Sequence, residues 1–164
     1  VVCRRQRQMC IRDRAKGTLD FVGLNYYTHV LVGPASVSLL KMKFPKRRQE
    51  VATEFGYPMY AEGLRRAIEF LAPLNVPIEI TENGVADAED TLRTEHLRRH
   101  LWVLSNAVKD GHDVRSYHHW SLMDNFEWAE GYSMRFGLHR VDFESQERTL
   151  RPSGEVYKAI VGRR

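Results

Sequence analysis

From Leu19 onward, hydrophobic and polar positions alternate with a period of two. Phe21, Gly23, Asn25 and Tyr27 fall on one side, and Val22, Leu24 and Tyr26 on the other. This predicts a strand with one face packed beneath helices and the other turning polar towards its end. The pattern lapses from Val30 to about Thr53, around the basic run Lys41-Met42-Lys43-Phe44-Pro45-Lys46-Arg47-Arg48. A long, irregular strand-to-helix loop with solvated charges is expected there. A helical period follows: Leu64, Ala67, Ile68 and Leu71 recur at i, i+3, i+4 and i+7, and Pro73 marks the expected end of that helix.

Pro77 opens a second extended run, Ile78-Glu79-Ile80-Thr81-Glu82-Asn83-Gly84. Its β-branched residues favour a strand, and Gly84 is expected to supply a positive-φ turn. Strict alternation puts Ile78, Ile80 and Glu82 on one face. After an acidic patch at Asp87, Glu89 and Asp90, a second helix is predicted with Leu97, Leu101, Leu104 and Val108 as its buried stripe. Asp90 or Thr91 can cap its start and Gly111 can end it. Val114 to Trp120 reads as a third strand, and Pro152 opens a closing helix with Val156, Tyr157, Ile160 and Val161 as its buried side. Strand and helix alternate three times without internal repeats, the order of a parallel α/β fold.

In such folds chemistry collects at the C-terminal ends of strands, and Glu82 stands at one. A strand-end carboxylate can also simply face water. Two other sets of residues with catalytic associations are weak. His96 and His100 have the i, i+4 spacing of helical zinc ligands, but Leu97 stands where a zinc-protease helix needs Glu, so packing is expected instead. His118 and His119 have no Ser or Cys nucleophile motif to form a triad with.

Two more blocks change the weight of Glu82. One is Trp120-Ser121-Leu122-Met123-Asp124-Asn125-Phe126-Glu127-Trp128 with Arg135-Phe136-Gly137-Leu138, and the other is Asp20-Phe21-Val22-Gly23-Leu24-Asn25-Tyr26-Tyr27. With Ile80-Thr81-Glu82-Asn83-Gly84, they resemble the last third of a family 1 glycoside hydrolase, the β-glucosidase and β-galactosidase family. The resemblance runs from about Leu19 to about Ile160, in the family's order and spacing. It implies an α/β fold: the C-terminal part, about three β/α units, of a (β/α)8 TIM barrel that is incomplete in this chain. Length agrees, since a whole barrel takes about 250 residues and this chain has 164.

The resemblance also implies roles. Glu82 is the nucleophile of a retaining hydrolase of terminal β-D-glycosidic bonds, and Tyr27 donates to its carboxylate. Asn25 neighbours the sugar, Trp120 is its stacking platform, Glu127 and Trp128 bond the hydroxyls furthest from the scissile link, and Phe136 helps close the pocket. Glu127 points to unphosphorylated β-glucosides or β-galactosides, since a carboxylate there would repel a 6-phosphate. A pyranose offers an apolar C–H face and a rim of hydroxyls, which suits indole rings beside carboxylates and amides. Taken alone, Trp120 and Trp128 could equally be core. One family element is absent: no Asn-Glu-Pro, the family's acid/base segment, occurs in the sequence. The isolated chain is therefore expected to be inactive, with the missing N-terminal part of the barrel as its partner.

Charge separates residues 1–16 from the rest. Arg4, Arg5, Arg7, Arg12, Arg14 and Lys16 against Asp13 account for more than the whole net charge of +4, leaving residues 17–164 nearly neutral. Cys3 and Cys10, the only cysteines, lie there too and suggest neither a disulfide framework nor a zinc site. The segment is expected to be disordered or foreign to the glycosidase-like domain at 17–164. A basic nucleic-acid-binding arm is the competing view, and a non-catalytic sugar-binding fragment a third. No cofactor, metal, nucleic acid or membrane is expected, and without a signal peptide or spanning segment the expected location is cytoplasmic.

Overall fold

The structure, a computed structural model, describes residues 17–30 and 51–162. The basic opening segment and the run at 41–48 lie outside the described residues. Strand β1 (Val22–Asn25) is followed by helix α1 (Glu62–Leu71), β2 (Ile78–Asn83), α2 (Arg93–Lys109) and β3 (Val114–His119). A hairpin of β4 (His139–Val141) and β5 (Arg148–Leu150) then precedes α3 (Pro152–Val161). The first three strands form a parallel sheet in the order β1-β2-β3. This is a partial α/β layer, with the helices against one face.

Tyr26 just after β1, Ile78 and Ile80 of β2 and Leu64, Ile68, Val103 and Ala107 from the helices form the core, with Val22 and Leu24 packed against it. Both the β1 alternation and the α1 stripe are as the sequence predicts. Helix α1 ends at Leu71 and runs into a 3-10 turn, Ala72–Leu74, closed by left-handed Asn75. Proline at the second position of that turn has no N–H to continue the α-helical ladder.

Three predicted details differ. The buried stripe of α2 is Arg93, His96, Leu97, His100, Val103 and Ala107, while Leu101 and Leu104 sit at the flank and Val108 is exposed. The rotation is set at the N-terminus, where buried Arg93 pairs with Asp90 and donates to the carbonyls of Asp87 and Arg135. Asp87, rather than Asp90 or Thr91, caps this end: its carboxylate accepts from the amides of Thr91, Leu92 and Arg93. Gly111, at φ +93°, follows the helix as expected. In α3 the buried residues are Ser153 and Gly154, with Val156 and Tyr157 half-buried and Ile160 and Val161 exposed.

Candidate active site

At the C-terminal end of β2 the alternation breaks. Leu24 pairs with Ile80, but the next residue, Asn25, pairs with Glu82, so Thr81 is an extra residue in the ladder. Such a bulge turns the following side chain to the other face. Ile78 and Ile80 point into the helix layer, whereas Glu82 points to the face that carries Asn25 and Tyr27. The expectation that Ile78, Ile80 and Glu82 share a face is thereby corrected. Without the bulge Glu82 would enter the apolar core, where an unpaired carboxylate is strongly disfavoured.

On that face the Tyr27 hydroxyl donates to Glu82 Oε2 at 2.7 Å. Burial and then this bond to the Glu82 carboxylate push the Tyr27 phenol above its ordinary range, so it remains a proton donor at neutral pH. The Thr81 hydroxyl donates to Asn25 Oδ1 at 2.6 Å, which fixes the Asn25 amide one residue from Glu82. Asn83 turns back into the core, where it is fully buried. Its Nδ2 donates to the Tyr26 carbonyl and its Oδ1 accepts from the Tyr117 hydroxyl, so one amide clamps all three strands beneath the carboxylate.

Gly84 does not adopt the expected positive φ. Its glycine is required by proximity, because a Cβ there would collide with the carbonyl of Trp120. The end of β2 thus lies directly against the end of β3, where the Trp120 amide donates to the Asn83 carbonyl. Trp120 Nε1 donates in turn to Glu127 Oε1 at 3.0 Å. The Glu127 loop is anchored from below by buried Asp124, which accepts from both Nη atoms of Arg151 and from the amides of Gly137 and Val141.

Phe136 is buried and meets the Tyr27 ring edge-on at 6.2 Å. It braces the phenol that holds Glu82. Trp128 opens the short turn Trp128–Glu130 and is 84% exposed. Tyr27, Glu82 and Phe136 thus form one contact group, Trp120 and Glu127 a second, and the Glu127 charge also raises the Tyr27 and Tyr57 phenols.

Sequence patterns missed Tyr57 and Phe55. A tight turn closed by the Thr53 amide and hydroxyl on the Tyr57 carbonyl presents them. Tyr57 lies 6.4 Å from Tyr27, and Phe55 5.6 Å from Tyr57 and 6.2 Å from Phe136. The one available signal was Gly56, at φ +89°, between two aromatics. Among the described residues no group of three His, Cys, Asp or Glu is placed to hold a metal ion. None of their helices is long and apolar enough to cross a membrane.

A family model described as glycosyl hydrolase family 1 matches residues 6–164, reaching back into the basic opening segment. The β-galactosidase of Saccharolobus solfataricus is 38% identical over 166 residues, covering 95% of this chain and 34% of that protein. β-Glucosidase A of Thermotoga maritima is 37% identical, covering 87% of this chain and 34% of that protein. The crystal structure of the hyperthermophilic β-glucosidase from Pyrococcus furiosus superposes with a TM-score of 0.83 at 41% identity, over 96% of this chain and 36% of that one. The chain spans about a third of the length of the curated relatives it matches.

Proposed function

The chain belongs to glycosyl hydrolase family 1, and from that membership we propose that it supplies the nucleophile and part of the sugar site of a retaining β-glycosidase acting on β-glucosides or β-galactosides. Glu82 attacks the anomeric carbon as the glycosidic C–O bond breaks, forming a glycosyl-enzyme ester that water then hydrolyses. The proton for the leaving oxygen comes from a second carboxyl group that this chain does not contain, contributed by the remaining units of a (β/α)8 barrel. Tyr27 holds Glu82 by one oxygen and leaves the other to react. Trp120 stacks on the apolar face of the sugar while Glu127, oriented by the indole N–H, accepts from its hydroxyls. Asn25 and Trp128 add polar contacts at the rim, and Phe136 keeps Tyr27 in place.

The observation that carries this proposal is the Tyr27–Glu82 hydrogen bond at the adjacent ends of two parallel strands. Its test is covalent trapping. The chain, fused behind the N-terminal two thirds of the Thermotoga maritima relative, is incubated with an activated 2-deoxy-2-fluoro-β-glucoside, which slows both steps by destabilising their oxocarbenium-like transition states. The peptide spanning residues 78–84 should gain one fluoroglucosyl group, and Glu82→Gln should gain none. Labelling at another carboxylate would remove Glu82 from the role.

A further inference from the structure

We propose that the outer groove between α1 and α2 is a second, non-catalytic binding site, and that its ligand is a neutral β-linked oligosaccharide. The groove lies on the helix side of the sheet, whereas Glu82 faces the other side. It therefore goes beyond the function proposed above and does not depend on it.

On α2, Glu95, Arg98, Arg99, Trp102 and Asn106 recur at steps of three and four and so share one stripe. Glu62, Arg65 and Glu69 do the same on α1. Trp102 is the one large apolar side chain in these polar stripes, and it is 68% exposed. Two cavities meet at it. One, of about 630 Å³, is lined by Tyr60, Glu62, Glu95, Arg98 and Arg99, and the other, of about 280 Å³, by Glu62, Arg65, Glu69 and Asn106. The Trp102 indole borders both. From Glu95 to Asn106 the groove follows about 16 Å of helix, room for several pyranose rings in line.

Charge and shape select the occupant. The larger cavity sets two carboxylates, Glu62 and Glu95, against two guanidinium groups, Arg98 and Arg99, so it favours neither an anion nor a cation. Glu95 holds Arg99, and Glu69 and Asp110 hold Arg65. Among the described residues Glu62 and Arg98 have no ion-pair partner, which leaves one acceptor and one fork of donors facing the cavity. An indole face beside such groups suits the C–H face and hydroxyl rim of a pyranose. A protein partner fits less well, because charged residues are depleted at the centre of protein interfaces and costly to desolvate there. α1 and α2 follow adjacent parallel strands, so the groove between them runs nearly straight. β-Linked glucans extend as flat ribbons along such a groove, whereas α-linked ones coil.

The test labels the fused protein described above with fluorotryptophan and follows its fluorine resonances as cellotetraose is added. Trp102→Phe identifies the Trp102 signal by its loss. That signal should move and saturate with cellotetraose and stay in place with maltotetraose. Arg98→Ala removes donors to the sugar rim and should raise the midpoint at least about fivefold. Phe70→Ala is the control: Phe70 is 77% exposed on α1 but lines neither cavity, and the midpoint should not change. A stationary Trp102 signal, an equal shift with maltotetraose, an unchanged midpoint in Arg98→Ala or an equal effect of Phe70→Ala would overturn the proposal. Trp120 and Trp128 report separately on the sugar site proposed above. If they stay still while Trp102 moves, the groove stands and that sugar site falls. If they move while Trp102 stays still, the reverse holds.

Discussion

At the scale of single residues the candidate site rests on two carboxylates, Glu82 and Glu127, and their donors Tyr27 and Trp120. Glu82→Gln keeps shape and loses the proposed nucleophile, so a completed barrel carrying it should still bind substrate while kcat falls by several orders of magnitude. Turnover near wild type would exclude Glu82. Tyr27→Phe removes a hydrogen bond to a carboxylate, an interaction worth about 1.5–3 kcal/mol, so kcat/KM should fall roughly ten- to a hundredfold if the bond matters in the transition state. Trp120→Ala should instead raise KM through lost stacking, and unchanged affinity would make Trp120 core. Residue chemistry was the most legible part of the sequence, because Glu, Asn and Trp at strand ends are conspicuous by type. The face that Glu82 occupies was not legible. Alternation alone sends it into the core, and only the extra residue at Thr81, visible in the pairing of Asn25 with Glu82, returns it to Tyr27.

At the scale of elements the three strands and three helices were legible from periodicity, whereas their rotation and capping were not. Periodicity ranked Leu101 and Val108 above His96 and His100, yet the latter are buried, with ring centroids 3.9 Å apart in a stack. What decides is the Arg93–Asp90 pair and the Asp87 cap, contacts between loops that no local pattern encodes. The hairpin β4–β5 escaped because three-residue strands carry too little alternation. The helix–sheet seam has a pH signature. Burial lowers His96, pushes His100 down to about 4 and pushes His119 down to about 3. The charged and titratable groups around them are Arg93 and Arg99 of α2, Tyr26 just after β1, Tyr117 of β3 and Tyr157 of α3. Their folded pKa values lie below the unfolded value, so the unfolded chain binds more protons between about pH 6.5 and 4. Stability is therefore full above pH 6.5 and declines as pH falls through this window, by about 1.4 kcal/mol per pH unit for each histidine involved. Urea midpoints of an assembled barrel should show this decline, and His119→Leu should make it shallower. An unchanged slope would mean that His119 is hydrated in the native state.

At the scale of the whole molecule, the arrangement of the sheet and the chemistry of the site lead to the same expectation for the chain on its own. A closed barrel leaves no strand edge and covers the inner face of every strand with the others, whereas among the described residues β1 and β3 are edge strands and the face carrying Phe21, Gly23 and Asn25 is exposed. Parallel sheets are normally covered on both faces. The described core lies on the helix side alone, and Phe70 near the end of α1 and Ile160 and Val161 at the end of α3 are exposed. The purified chain should therefore lack a cooperative thermal transition, even though its local patterns agree with the folded arc. Catalysis should fail for a separate reason. In the proposed mechanism Glu82 attacks, but general acid catalysis typically contributes 10²–10⁴-fold, and the Asn-Glu-Pro segment proposed to supply it does not occur in the sequence. Aryl β-glucosides with good leaving groups need little protonation, so they give the chain its best chance of showing activity. Assays on such a substrate, run beside thermal unfolding of the same sample, should show neither turnover nor a cooperative transition. A cooperative transition with hydrolysis lost in Glu82→Gln would show that three units suffice both to fold and to react.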